Sequence, residues 1–313
     1  YDSWISFDDL AFANQLSFFL LLFILGLFFI EHISRRKAQY HSPSRGGVKQ
    51  KKKLNLKGSK SIFAFSVCFL VFFISFLFPV LQMFYWTIIF PKNLLDLNIL
   101  QLSLNTIYLV FLSSAVLIIF SFIANYGNRV TRSKFLNFLT MFSITGYAIP
   151  GVILAVAFIT FVAWFDNNII KYYELSSIKK IFIGSIIGLV IVYFIRFYSL
   201  AYNGLKSGYE RINRSIDESS YLLGYSKIKT FLGIHVPYLR NSIFLIGILI
   251  SIEIIKELPI TLILRPFNFE TFATTAYIYA SQDLLEAAAV PSLFLILIAS
   301  TFILITSRYI LKD

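Results

Sequence analysis

The chain has 313 residues, of which 58% are hydrophobic, 18% aromatic and only 14% charged, and it carries a formal net charge of +12. Its mean hydropathy is +0.75. A soluble domain has about 25% charged residues, so this composition excludes a water-soluble globule and points to a bilayer, where a helix needs about 20 apolar residues to cross. The single cysteine, Cys68, excludes an intrachain disulfide, and its place in an apolar run marks it as a small buried hydrophobe.

The chain opens at Tyr1 with Asp2, Asp8 and Asp9 and no basic run, so no signal peptide is expected and the N-terminus reads as truncated. Apolar runs follow near 11–30, 61–90, 99–124, 135–165, 181–202, 241–264 and 287–307. They predict an all-α, polytopic membrane protein with about seven transmembrane helices. Lipid cannot satisfy exposed backbone groups, and no run shows the alternation of a barrel strand. The runs at 61–90 and 135–165 exceed a hydrocarbon thickness of about 30 Å, and Pro79 and Pro150 are expected kink points.

Between the first two runs, residues 35–60 carry Arg35, Arg36, Lys37, Arg45, Lys49, Lys51, Lys52, Lys53, Lys57 and Lys60 without one acid. The positive-inside rule places this linker in the cytoplasm. Alternation then puts 125–134 and 203–240 inside, and 1–10, 91–98, 166–180 and 265–286 outside. Lys171, Lys179 and Lys180 in the outer 166–180 segment run against that pattern. The linker, with its Ser42-Pro43 and Gly46-Gly47 pairs, reads as a flexible tether near anionic lipid. Membrane orientation accounts for its charge, so no nucleic-acid partner is expected.

The polar segment 203–240 has its own punctuation. Ser215-Ile216-Asp217-Glu218 fits a capping box opening a short helix to about Leu223. Gly224 suits the left-handed residue that ends it. A second helix is expected from about Ser226 to Leu232, leading through Gly233 to Pro237. This would be a helix–turn–helix protrusion with Tyr221, Leu222 and Leu223 as an apolar docking face.

In the run 241–264, Glu253 lies about 12 residues in, roughly 18 Å deep at the helical rise. A charge at that depth costs about 2.5–3.5 kcal/mol, so it requires a cavity or a partner. The spacing puts Glu253, Lys256 and Glu257 on one helical face, with Lys256 able to neutralise Glu253 and Pro259 placed to break the helix. The face either borders a translocation pathway or is an ion-pair cluster joining helices. Arg196 is expected to snorkel near a span end, and Gly146 to Gly151 to form either a close-packing kink or a gate, packing being the preferred reading. His32, His41 and His235 are scattered, so a metal site stays unknown, and no nucleophilic triad is suggested.

The spacing Glu218, Ser219, Ser220, then Gly224, Ile234 and Pro237 resembles the EAA loop of ABC-importer permeases (E-A-A, three residues, G, nine residues, I, one residue, L, P). Two serines replace the alanines and Val236 replaces the leucine. Glu286-Ala287-Ala288 spells the same letters but has Ser292 where glycine is required, and reads as the start of the last helix. The stretches GYAIPGVILAVAF (146–158), KELPITLILRPFNFETFATTAYIYAS (256–281) and EAAAVPSL (286–293) are similar to the ferric-iron branch of these MetI-like permeases.

The resemblance covers roughly 60–313. It implies a permease domain at 61–313, preceded by the last span of a truncated N-terminal half at 1–34. It also implies a bacterial inner (plasma) membrane, multi-pass setting and passage of ferric iron delivered by a periplasmic or external solute-binding protein. A cytoplasmic ABC ATPase dimer would dock on the 215–237 loop, and an N-terminal permease half would complete the pathway. Having no G-x-x-x-x-G-K-[ST] loop, the chain is expected to be no enzyme and to bind no cofactor, ATP-Mg belonging to the ATPase partner. Thiamine, phosphonate or polyamine permeases share the loop, and an ion-coupled secondary transporter, which would not need it, is the alternative from another class.

Overall fold

The computed structural model describes residues 10–36, 57–92, 97–131, 133–172 and 182–310. Most of the basic linker, residues 37–56, and the segment 173–181 lie outside the described residues. The described elements are α1 (Leu10–Arg36), α2 (Ser59–Ile89), α3 (Ile99–Thr131), α4 (Lys134–Ile144), α5 (Gly151–Tyr172), α6 (Ile186–Tyr209), α7 (Arg214–Leu222), α8 (Lys227–Ile255), α9 (Pro259–Leu264), α10 (Phe272–Ser281) and α11 (Leu285–Ile310). The fold is all-α and polytopic. By length and composition α2, α3, α6, α8 and α11 can each cross a membrane, and α4 with α5 makes a sixth span if taken together. Among the described residues these spans, with α1 over the first run, are in keeping with the polytopic helical fold that the seven runs predict. The run 135–165 is not one rod, because α4 ends in a 3-10 turn, Thr145–Ala148, and α5 departs at 115° beyond Pro150. Glu286 stands in the first turn of α11, as expected.

Proline is handled differently in the straight spans. In α2 a π turn, Phe73–Leu77, ends two positions before Pro79; in α8 another, Phe231–His235, ends two positions before Pro237. A proline ring collides with the carbonyl four residues back and lacks the donor that carbonyl needs. The wider π turn moves that carbonyl aside, so both helices continue. The second segment of the 203–240 region therefore does not stop at Gly233, as its sequence suggests, but runs unbroken into the span.

The core is built on α3, α6 and α8. Leu109, Leu117, Leu189, Val192, Tyr193, Phe197, Leu205, Leu239, Ile250 and Ile254 bury their side chains there. Lipid supplies no hydrophobic drive between helices, so close backbone approach and interhelical hydrogen bonds must hold them. Gly204 and Gly208 supply the approach: a Cβ on Gly204 would stand 2.8 Å from Ile246, and one on Gly208 2.9 Å from Leu239. Asn125 donates to the carbonyl of Tyr202 at 3.1 Å, and the hydroxyls of Ser114 and Ser251 pair at 3.3 Å. By contrast α2, packed mainly on α11, turns Phe63, Phe65, Phe69 and Phe72 outward. Cys68 is exposed on this helix rather than buried.

Candidate functional site

Between α6 and α8 the chain forms a tight elbow. Its first arm is α7, whose N-cap is Asn213, not Ser215: the Asn213 side chain accepts from the Ser215 amide at 3.3 Å. The expected capping box does not form, because the helix starts two residues earlier than the Ser–Glu pair requires. Gly224 does adopt the left-handed conformation, with φ of 81°. The Tyr225 amide reaches the Ser220 carbonyl at 3.0 Å and the Gly224 amide reaches the Tyr221 carbonyl at 3.0 Å. These two bonds make a Schellman stop. Ser226 then caps α8 through the Lys229 amide.

A buried ionic hub fastens the elbow to three helices. Asp217 on α7 accepts from Arg129 Nε of α3 at 2.6 Å and from His235 Nε2 in the π turn of α8 at 2.8 Å. Arg129 also donates to the carbonyls of Tyr209, Ile212 and Asn213, closing the C-terminal end of α6. His235 is fully buried, between the rings of Tyr126 and Tyr209. Tyr126 donates to the Lys227 carbonyl at 2.7 Å, and Phe231 packs on Phe122 and Tyr126. The Ser220 hydroxyl bonds the Asp217 carbonyl and pairs with the Thr230 hydroxyl at 2.9 Å, joining the two arms.

The predicted loop residues divide accordingly. Ser220 is buried and structural, and Ile234 is partly buried in the π turn. Glu218, Ser219, Tyr221, Gly224 and Pro237 are exposed. Leu222 and Leu223 are 89% and 77% exposed, and Ile228 and Tyr225 stand out beside them. Sequence reasoning found this tip but missed Arg129, Asp217 and His235 as a unit. The available signal was a carboxylate and a histidine 18 positions apart at the two ends of one elbow.

The second predicted cluster separates into two pairs. α8 ends at Ile255, so Glu253, Lys256 and Glu257 do not share one face. Lys256 Nζ binds Glu253 Oε1 at 2.7 Å, the neutralisation expected. Glu257, past the helix end, turns inward to Arg196 Nε at 3.3 Å. Its Oε1 lies 3.5 Å from the Ile260 amide, at the start of α9, which opens at Pro259. Arg196 does not snorkel. It sits mid-way along α6, since that helix continues to Tyr209, and donates to the Ile149 carbonyl at 3.0 Å. Gly151 makes this closeness possible: a Cβ there would lie 2.6 Å from Glu257 Oε1 and 3.0 Å from Arg196 Nη1. Two breaks, at Pro150 and at Pro259, are thus stapled by one ion pair. Among the described residues no cluster of His, Cys, Asp and Glu could hold a metal ion.

No family model matches the chain. Over 166 residues it is 20% identical to the Fe(3+)-transport system permease protein FbpB 2 of Haemophilus influenzae, a match spanning 53% of this chain and 30% of that protein. Two solved structures share its fold. One is of a bacterial alginate ABC transporter in complex with an alginate pentasaccharide-bound periplasmic protein (TM-score 0.64, 14% identity, 79% of this chain and 93% of that one). The other is of a bacterial ABC transporter involved in the import of the acidic polysaccharide alginate (TM-score 0.63, 15% identity, 79% and 94%). The chain therefore has the fold of a membrane-spanning chain of these importers.

Proposed function

We propose that the chain is the permease subunit of an ATP-driven importer, passing ferric iron from an external binding protein through a bacterial inner membrane. The observation that carries this is the elbow: a rigid tip exposing Tyr221, Leu222, Leu223 and Ile228, bolted by Asp217 to α3, α6 and α8. An exposed apolar tip on a loop is costly unless a partner covers it. The hub gives force on that tip a direct route into three packed spans. The partner is a dimer of ATPases that binds the ATP-Mg, and an N-terminal permease half completes the pathway. The fold shared with alginate importers supports the transporter class, and the Haemophilus influenzae relative supports iron as the solute. A second reading keeps the machine and changes the cargo to an organic anion such as the acidic polysaccharide of the structural neighbours.

The test is a photo-cross-linker at Leu222 in native membranes, with captured protein identified by mass spectrometry. The expected product contains a nucleotide-binding subunit with its phosphate-loop peptide. Capture of no such subunit, or labelling of Leu222→Cys only from outside the cell, would overturn the assignment.

A further inference from the structure

We infer that the surface of α6 between α4 and α8 is this chain's share of the passage, and that its charge selects an anionic or neutral solute, so that ferric iron crosses as an oxygen-donor chelate and not as a bare cation. This rests on the importer reading and assigns the chemistry of what is carried.

Three cavities of about 380, 390 and 660 Å³ run together along α6. The first lies between Tyr147, Ser199, Asn203, Ser207 and Leu249. The second continues past Thr140 and Tyr202, and the third opens among Asn125, Asn137, Lys206 and Arg211. Asn203 and Lys206 join them. Ser199, Asn203 and Ser207 are spaced by four, so they form one stripe up the helix, linked by hydrogen bonds of 3.2 Å from Asn203 to Ser199 and 3.2 Å from Ser207 to the Asn203 carbonyl. A polar stripe on a membrane helix faces a water-filled cavity or a partner. The buried side of the same helix is apolar, with Leu189, Val192, Phe197 and Leu205.

The charges around this trough are unequal. Elsewhere four acids of the described spans and their connections are matched by cations: Asp217 by Arg129, Glu253 by Lys256, Glu257 by Arg196 and Glu270 by Arg265, while buried Asp166 in α5 accepts from the Phe182 amide. None of the three trough cavities is lined by Glu253, Glu257 or Glu270. Within the trough Lys206 has no carboxylate within ion-pair distance among the described residues, and Arg211 and Arg214 stand free at its wide end beside the single acid Glu210. Amide, hydroxyl and phenol groups supply the rest. A low-dielectric cleft lined by one sign of charge concentrates the opposite sign. A trivalent cation would meet repulsion from Lys206 with no carboxylate along the stripe to offset it. A chelate wrapped in carboxylate or phosphate oxygens would meet hydrogen-bond donors and a favourable charge.

The test uses the full transporter with its ATPase and binding protein, carrying Cys68→Ser and a single cysteine at Ser199, Asn203 or Ser207. Reaction rates with an anionic and a cationic methanethiosulfonate of similar size are compared with those of a free thiol. The expected result is a preference of about tenfold or more for the anionic reagent, the low end of electrostatic focusing in a charged cleft, and its loss on adding Lys206→Gln. Preference for the cationic reagent, or no reaction at any of the three positions, overturns the inference. Binding-protein-stimulated ATP hydrolysis is measured on the same samples. Its absence in the parent would defeat the importer reading, whereas its presence with the wrong thiol preference would defeat only the solute assignment.

Discussion

Asp217→Ala is the most informative single change. It removes the acceptor for Arg129 and for His235, whose side chains are 12% and 0% exposed. Arg129 would keep its three carbonyl partners, so the loss is smaller than that of a fully stranded buried charge at about 3–5 kcal/mol. It is larger than that of a surface pair at about 0–1 kcal/mol. One charge-assisted hydrogen bond contributes about 1.5–3 kcal/mol, which places the two together near 3 kcal/mol. At about 1.4 kcal/mol per factor of ten, the elbow would then part from α3 and α8 about a hundredfold more often. The tip itself stays intact, because Gly224, Ser226 and the Ser220–Thr230 pair hold its geometry independently. The expected phenotype in proteoliposomes is retained cross-linking at Leu222 and retained ATP hydrolysis, with solute moved per ATP falling by about tenfold or more. Arg129→Ala combined with Asp217→Ala should cost less than the sum of the two single variants, because they share one ion pair, though each also loses partners of its own. Unchanged uptake per ATP, or strict additivity of the two, would refute the hub as the mechanical link.

Two glycine substitutions test the geometry around the proposed machine. Gly151→Ala places a methyl 2.6 Å from Glu257 Oε1, so it should push apart the Arg196–Glu257 pair and cost about 1–3 kcal/mol, the usual toll of overpacking. A lower thermal inactivation temperature of the purified complex is the measure, and an unchanged value would mean the two breaks are not stapled there. Gly224→Ala meets no atom within 4 Å, so its cost is the left-handed backbone alone, about 1–2 kcal/mol. Gly224→Asn should recover much of that loss in the same assay, since Asn tolerates the conformation.

Local features were readable from residues, and distant ones were not. Gly224 announced a left-handed stop because few other residues accept that backbone, and Pro259 announced a helix end because its ring forbids the preceding turn. The capping assignment failed by two residues, since Asn213 competes with Ser215 for the same orphan amides. Pro237 misled: a π turn absorbs it, and nothing in single-residue preference announces that. The hub was illegible because Arg129 and Asp217 are 88 positions apart and meet only when α3 lies beside the elbow. Glu257 was misplaced because helical periodicity was carried past Ile255, beyond which the carboxylate is free to turn toward Arg196.

The continuity of α8 has a mechanical corollary. From Lys227 to Ile255 it is one rod of 29 residues, roughly 43 Å at the helical rise. Its near end belongs to the tip, its far end adjoins Glu253 and the break before Pro259, and the π turn at Phe231–His235 carries it past Pro237 without ending it. A tilt imposed at the tip must reappear at the opposite membrane face with its sign reversed about whatever point the neighbouring helices pin. Such a seesaw would open one side of a membrane as it shuts the other.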